Sequence, residues 1–167
     1  MTTWTKLSFT WMLMAAMCLL PLLYGCQEEG LPDEEGAEVS LNRVPNNHDF
    51  ASLPLIGTQW KLVGFVDKKK NRIRIVKAGD GDSFTQVFED NGRFTGRASI
   101  NQAQGEYSMT KDHLSIQQYH LLTEAGESPD GYLYIAAMEK VFAYRIFNRG
   151  LELYYDPRQY LLFQPVD

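Results

Sequence analysis

The chain has 167 residues, of which 44% are hydrophobic and 22% are charged, and its formal net charge is −5 at pH 7. This length accommodates one domain of ordinary size with its own hydrophobic core. An acidic chain gives no general electrostatic case for binding nucleic acid, so we expect no nucleic-acid partner.

The N-terminal region has the residue order of a bacterial lipoprotein signal. Lys6 is the only charged side chain before an apolar run over residues 7–24, and a charged start followed by an apolar middle is typical of a signal peptide. Leu23-Tyr24-Gly25-Cys26 then resembles a lipobox. The resemblance implies that residues 1–25 form a lipoprotein signal peptide and that Cys26 is the lipidation site. We therefore expect a bacterial cell-envelope protein, lipid-anchored to the outer membrane on its periplasmic or its surface-exposed side.

The alternative for this region is a retained transmembrane anchor, because the apolar run is about as long as the shortest spanning helices. Pro21 and the Gly25-Cys26 pair favour cleavage instead. Cys18 lies in the segment that cleavage would remove, and Cys26 would carry the lipid. The mature chain would then have no cysteine pair for an intramolecular disulfide.

Acidic residues are concentrated directly after Cys26. Residues 26–50 contain seven Asp and Glu against Arg43 alone, a net charge of −6, whereas residues 51–167 contain fourteen acids and fourteen bases, a net charge of zero. The segment 26–50 is poor in aromatic residues and predicts an acidic flexible tether. Gln27-Glu28-Glu29 resembles surface-export signals of some Gram-negative lipoproteins, and a solvated spacer is the alternative. We expect residues 51–167 alone to fold as a soluble monomer.

Short apolar runs separated by turn residues follow, a pattern that favours an all-β sandwich or barrel. Asp90-Asn91-Gly92 is the strongest hairpin signal, because Asn and Gly adopt positive φ at low cost. Alternation along the following strand places Phe94, Gly96, Ala98 and Ile100 on one, inward face. The predicted strands are Gly57–Val66, Arg72–Val76, Ser83–Glu89, Arg93–Ile100, Gly105–Met109, His113–Gln118, Phe142–Asn148, Leu151–Tyr155 and Tyr160–Gln164.

One stretch departs from the two-residue period. Tyr134, Met138 and Val141 recur at helical spacing among good helix formers. This pattern predicts a short helix over Tyr132–Val141 that covers an open end of the sheet.

Several of these elements, taken in order, resemble the META/HslJ-like domain family. The resemblance rests on Gly57-Thr58-Gln59-Trp60-Lys61-Leu62 as an opening strand and on the hairpin Phe88 to Gly96. Asn101, Gly105-Glu106-Tyr107, Leu114-Ser115-Ile116, the helix and Leu151-Glu152-Leu153-Tyr154-Tyr155 complete it. The resemblance implies that 51–167 is a META/HslJ-like β-barrel domain: mainly β, a small antiparallel lipocalin-like barrel with one short helix. Many relatives carry a Cys-Asn pair where this chain has Ile100-Asn101, so no thiol role is implied there.

The resemblance also bears on function. It implies no catalytic residue and no cofactor, and the sequence contains no Gly-x-Ser-x-Gly elbow and no other visible nucleophile–base set. We therefore expect a non-enzymatic envelope lipoprotein that acts through its surface in envelope maintenance or stress tolerance. Its expected partners are the membrane, through the N-terminal lipid, and an envelope protein or glycan. A lipocalin-like carrier of a small apolar ligand is the alternative. Lipocalin-type carriers also have a Gly and a Trp on their first strand.

The remaining candidate sites are few. His48, His113 and His120 form no metal-ligand spacing, so no metal site is predicted. The basic cluster 68–74 predicts a hairpin tip that either contacts lipid phosphates, a glycan or an acidic partner, or only solubilises the loop. Asp80-Gly81-Asp82-Ser83 lacks the downstream ligands of a calcium loop and predicts a plain turn. Trp60 is predicted to anchor the core and not to bind a ligand.

Overall fold

The structure is a computed structural model that describes residues 31–32, 36–76 and 81–166. Within these residues it has ten β-strands, one α-helix and two short 3₁₀ helices, Leu41–Arg43 and His48–Ser52. The strands are β1 (Glu38–Ser40), β2 (Gln59–Asp67), β3 (Arg72–Ile75), β4 (Thr85–Phe88), β5 (Arg93–Arg97), β6 (Gln102–Met109), β7 (Leu114–Leu121), β8 (Ala143–Phe147), β9 (Gly150–Asp156) and β10 (Gln159–Pro165), and the helix is α1 (Pro129–Met138).

The ten strands of the described residues form one antiparallel sheet that curls into a barrel-like fold. Its order is β7-β6-β5-β4-β2-β10-β9-β8, and β3 pairs with β2 on one side and β1 on the other. The predicted fold class, a small antiparallel barrel with one short helix, is confirmed. All nine predicted strands are present with shifted ends, and β1 is an addition that the sequence pattern did not predict.

The inside of the sheet is filled by a cluster of apolar and aromatic side chains, here called the inner cluster. Trp60 on β2, Phe94 on β5 and Phe163 on β10 are fully buried in it. Phe88 packs between Phe94 and Tyr107, at ring-centroid distances of 6.3 and 5.1 Å. The alternation of each strand therefore supplies one continuous core.

A second, smaller cluster lies on the outer face of β2, β3 and β10, and is here called the outer cluster. A β-bulge in β2 shifts the register with β10 between Leu162 and Phe163, which exchanges the two faces of β2. Leu62 consequently lies in the inner cluster and Val66 in the outer one. The outer cluster comprises Leu41, Val44, Val66, Ile73, Ile75, Tyr160 and Leu162.

The predicted flexible tether over 26–50 is wrong for residues 36–50. This stretch, here called the strap, begins at Gly36, adds β1 to the sheet beside β3, and continues until Asn47 N–H donates to the Asn148 carbonyl at 2.7 Å. Leu41 and Val44 are 7% and 1% exposed within the outer cluster. The strap folds because it covers apolar side chains of the barrel, which its own acidic composition does not reveal. The domain therefore begins before residue 51.

Two smaller predictions also need correction. The helix begins at Pro129 and ends at Met138 rather than spanning Tyr132–Val141, because the Ser128 hydroxyl accepts the Gly131 N–H at 3.1 Å as an N-cap. Ile100 is 45% exposed, because β5 ends at Arg97 and the chain turns there. In the described part of the chain, no helix is long and apolar enough to cross a membrane.

Candidate functional site

The predicted lipidation residue, Cys26, and the signal peptide 1–25 lie outside the described residues. The barrel offers three candidate places for function: its interior, one end closed by a hydrogen-bond network, and the clefts on its outer surface.

The interior has one polar spot within its aromatic packing. Gln86 is fully buried, because it alternates with Phe88 on the inward face of β4. Its side-chain amide donates to the Thr95 carbonyl at 3.3 Å and accepts from the Tyr134 hydroxyl at 3.3 Å. Burial raises the pKa of the Tyr134 hydroxyl well above its ordinary value. These groups are neutral hydrogen-bonding partners that join α1 to the sheet, and they provide no acid or base at neutral pH.

The Tyr119 hydroxyl lies near this polar spot. It is buried, and its ring is 6.5 Å from that of Tyr134. Burial raises its pKa too. Sequence reasoning did not identify this pair or Gln86, although the alternation of Gln86 with Phe88 was a usable signal.

Trp60 lies where the sequence predicted, fully buried in the same cluster as Met138 of the helix. Its indole N–H donates to the Leu55 carbonyl at 3.2 Å. The ring is therefore satisfied at its polar edge and packed on its faces, which is the arrangement of a core residue.

One end of the barrel is held by a network around Glu127, which sequence reasoning missed. The Glu127 carboxylate accepts the backbone N–H groups of Ser99 and Ile100 at 2.9 and 3.1 Å, and that of Asn101 at 2.9 Å. The Ser99 hydroxyl and the Asn101 side-chain amide also donate to it. Burial alone would raise the pKa of the Glu127 carboxyl, but these hydrogen bonds outweigh burial and hold it below the ordinary value.

The network connects the turn after β5 to the segment that leads into α1. Asn101 is fully buried, and its side chain donates to the Ala125 carbonyl at 2.6 Å and accepts the Ala125 N–H at 3.0 Å. Five donors occupy the Glu127 carboxylate, so it has little capacity left to act as a general base towards Ser99. The arrangement holds the backbone of this turn in place. It also explains the burial of Asn101, on which the family resemblance partly rests.

One cleft on the outer surface lies between α1 and the β2–β3 hairpin, with a volume of about 370 Å³. Phe65 and Tyr155 contribute aromatic surface to it, and Leu133 of the helix is 53% exposed at its edge. Arg74 lies over the Phe65 ring at 4.7 Å and pairs with the buried Asp130 at 2.6 Å. Its other lining residues include Glu38, Asp67, Lys70, Ala136, Ala137, Lys140 and Gln159.

The basic cluster 68–74 forms the predicted hairpin tip. Lys68, Lys69 and Lys70 are exposed in the turn between β2 and β3, and Asn71 has a φ of 53° there. The Asp67 carboxylate accepts the Lys70 N–H at 3.1 Å and lies 3.6 Å from its ammonium. The backbone N–H of Lys70 is the main cause of the lowered pKa of Asp67.

The histidines are exposed and far from any ligand set. Asn148 contacts His48 at 3.2 Å, His113 contacts the Phe142 carbonyl at 3.3 Å, and His120 contacts Gln118 at 3.1 Å. Among residues 31–32, 36–76 and 81–166, no group of three His, Cys, Asp or Glu could hold a metal ion. Asp82 and Ser83 lie in a turn, and Asp80 lies outside the described residues.

Comparison with known proteins shows the fold and no activity. No protein-family model matches the chain, and no curated protein matches it. An NMR structure of a protein from Burkholderia xenovorans is 21% identical with a TM-score of 0.54, and the match covers 81% of this chain and 97% of that one. A crystal structure of a DUF4847 family protein from Bacteroides vulgatus is 19% identical with a TM-score of 0.48, covering 71% and 96%. The first of these matches supports the barrel-like fold of this chain.

Proposed function

We propose that this chain is a non-enzymatic envelope lipoprotein of the META/HslJ-like type, anchored to the outer membrane through Cys26 and acting through the outer surface of its barrel in envelope maintenance or stress tolerance. The observation that carries the surface part of the proposal is the packed interior. The inner cluster fills the barrel with fully buried aromatic side chains, Trp60, Phe88, Phe94 and Phe163. These side chains occupy the space that a carried ligand would need.

The anchoring part rests on the lipobox-like Leu23-Tyr24-Gly25-Cys26 and the apolar run before it. The strap supports it indirectly. Because the strap is packed onto the barrel from Gly36 onward, and Leu31 also packs against the outer cluster, at most nine residues separate Cys26 from the folded domain. A membrane-anchored barrel would therefore lie close to the lipid, where its outer surface meets envelope components.

The experiment uses a deletion strain of the organism that carries this chain, grown under detergent or osmotic stress. We expect the wild-type gene to restore survival and the Cys26→Ser gene to fail at equal protein level. Equal rescue by both genes would contradict a role at the membrane. The carrier alternative is tested separately with the purified protein and a fluorescent apolar probe. Saturable one-to-one binding of the probe would favour the carrier, and the absence of binding would favour the packed interior.

A further inference from the structure

We propose that the barrel end formed by the β2–β3 and β9–β10 turns docks onto the anionic headgroups of the membrane that holds the lipid anchor. This end, here called the basic end, comprises the cleft beside α1 and a smaller cleft of about 250 Å³ between the two turns. The two clefts are continuous, since Asp67 and Gln159 line both. The inference rests on the anchor proposed above and adds the partner of one particular surface.

The two turns are held together as one surface. The Lys68 N–H donates to the Arg158 carbonyl at 2.9 Å, which joins the β2–β3 turn to the β9–β10 turn. The Lys68 ammonium lies 5.0 Å from the centre of the Tyr154 ring. The two hydrogen-bonded hairpins therefore present the cations of the basic end on one connected surface, and not on a single free loop.

The basic end is positive on a chain that is negative as a whole. Five cations line its two clefts, Lys69, Lys70, Arg74, Lys140 and Arg158, against the three acids Glu38, Asp67 and Asp156. Arg74 is also paired with the buried Asp130, which leaves a net charge of +1. The formal charge of the whole chain is −5. Cationic side chains at a membrane surface are attracted to anionic lipid, and the attraction falls off within a Debye length.

Two of the three acids are already used inside the turns. Asp67 accepts the Lys70 N–H at 3.1 Å, and Asp156 accepts the Arg158 N–H at 2.8 Å. These two carboxylates therefore hold the turns in shape, while Lys69 and Arg158 are exposed. Next to them, the 53% exposed Leu133 and the cleft face of Tyr155 offer apolar surface. Exposed basic residues beside apolar and aromatic side chains suit the boundary between headgroups and acyl chains.

The anchor can bring this end to the lipid. The strap enters the sheet where Gly36 N–H donates to the Ile75 carbonyl, and the turn begins where Leu41 N–H donates to the Asn71 carbonyl. The four residues of β3 between these points span about 13 Å. The ten residue-to-residue steps from Cys26 to Gly36 reach at most about 36 Å when extended. Tethering at this range raises the local concentration of headgroups around the basic end. A contact of low intrinsic affinity is then enough to keep the basic end docked.

The test uses the lipidated protein reconstituted into vesicles of zwitterionic phospholipid, with or without an anionic phospholipid. A water-soluble acylating reagent modifies exposed lysines, and mass spectrometry follows Lys70 in the basic end and Lys111 in the distant β6–β7 turn. A net charge of +1 should favour the docked state by about fivefold in anionic vesicles. The acidic side chains of residues 28–35 are repelled by anionic lipid and reduce this attraction. We therefore expect the acylation of Lys70 to slow by at least about threefold. The acylation of Lys111 should be unchanged, and high salt should remove the protection of Lys70.

Two variants with equal charge changes make the test specific. Lys69→Glu lowers the net charge of the basic end to −1 and should abolish the protection of Lys70. Arg93→Glu, at an exposed position on β5, should leave it intact. Inorganic phosphate at the same ionic strength should not protect Lys70; protection by phosphate alone would mean a free-anion site and overturn membrane docking.

Anchor and docking have separate readouts. Flotation with zwitterionic vesicles measures the anchor, and protein that does not float refutes the anchor and docking together. Protein that floats while Lys70 is acylated at the same rate in both vesicle types refutes docking alone.

Discussion

The strap is the part of the molecule whose energetic role can be tested most sharply. We consider the double substitution Leu41→Ala and Val44→Ala. Both side chains are buried in the outer cluster, at 7% and 1% exposure, and they cover Val66 and Leu162 of the barrel. The backbone bonds of β1 to β3 are unaffected by either change.

The magnitude follows from the carbons removed. Leucine to alanine removes three carbons and valine to alanine two, and each buried carbon contributes about 0.8 kcal/mol, which gives a loss of about 4 kcal/mol. Partial collapse of the strap limits the additional cavity cost. A domain's free energy of unfolding is about 5–15 kcal/mol, so the loss is a large fraction of the whole.

Urea unfolding of the mature chain carrying Cys26→Ser measures this loss. With a denaturant dependence of about 2 kcal/mol per molar, the midpoint should fall by about 2 M. The matched control is Asn42→Ala with Asn46→Ala, both exposed on the strap, and it should stay within about 0.5 kcal/mol per site. A double apolar variant within about 1 kcal/mol of the wild type would refute the packing role assigned to the strap.

Three further predictions follow. Trp60→Ala should destabilise by about 3–5 kcal/mol, with Trp60→Phe milder, because the indole is fully buried; an unshifted melting temperature would remove Trp60 from the core. Gly105→Ala should prevent folding, because a Cβ there would lie 1.8 Å from the Gln118 carbonyl oxygen. Gly126→Ala is the control, since a Cβ there would have no atom within 4 Å, and thermal melts should show that it is tolerated. Glu127→Gln should cost about 1.5–3 kcal/mol at neutral pH. Because the folded pKa of Glu127 is lowered, its contribution is complete above the unfolded value of about 4.3 and is lost as the pH falls through the folded value. Urea titrations should therefore show the gap between wild type and variant closing below about pH 4, and a constant gap would contradict the assignment.

The barrel was predictable because its signals are local. Alternation places Phe94 and Phe163 inward, and the Asn91-Gly92 turn sets the β4–β5 hairpin, each within a window of a few residues. The bulge in β2 was not predictable in this way. The bulge exchanges the inner and outer faces of β2 on either side of Val63. A simple two-residue alternation of apolar residues does not indicate where such a bulge lies.

The strap and the Glu127 network could not be predicted for a different reason. Leu41 and Val44 are isolated apolar residues in an acidic segment, and their partners Ile73 and Tyr160 lie far along the chain. Glu127 accepts hydrogen bonds from a turn that begins 28 residues earlier, at Ser99. Composition describes what a segment can bury alone, whereas these residues are ordered by surfaces that exist only after the barrel forms.

We propose above that this barrel works while held to a membrane by a lipid on Cys26. Cells expressing the wild-type chain or Cys26→Ser are fractionated, and the membranes are washed with carbonate before immunodetection. We expect the wild type to stay in the pellet and Cys26→Ser to be released to the soluble fraction. Cys26→Ser protein that still pellets after the wash would contradict the lipid anchor.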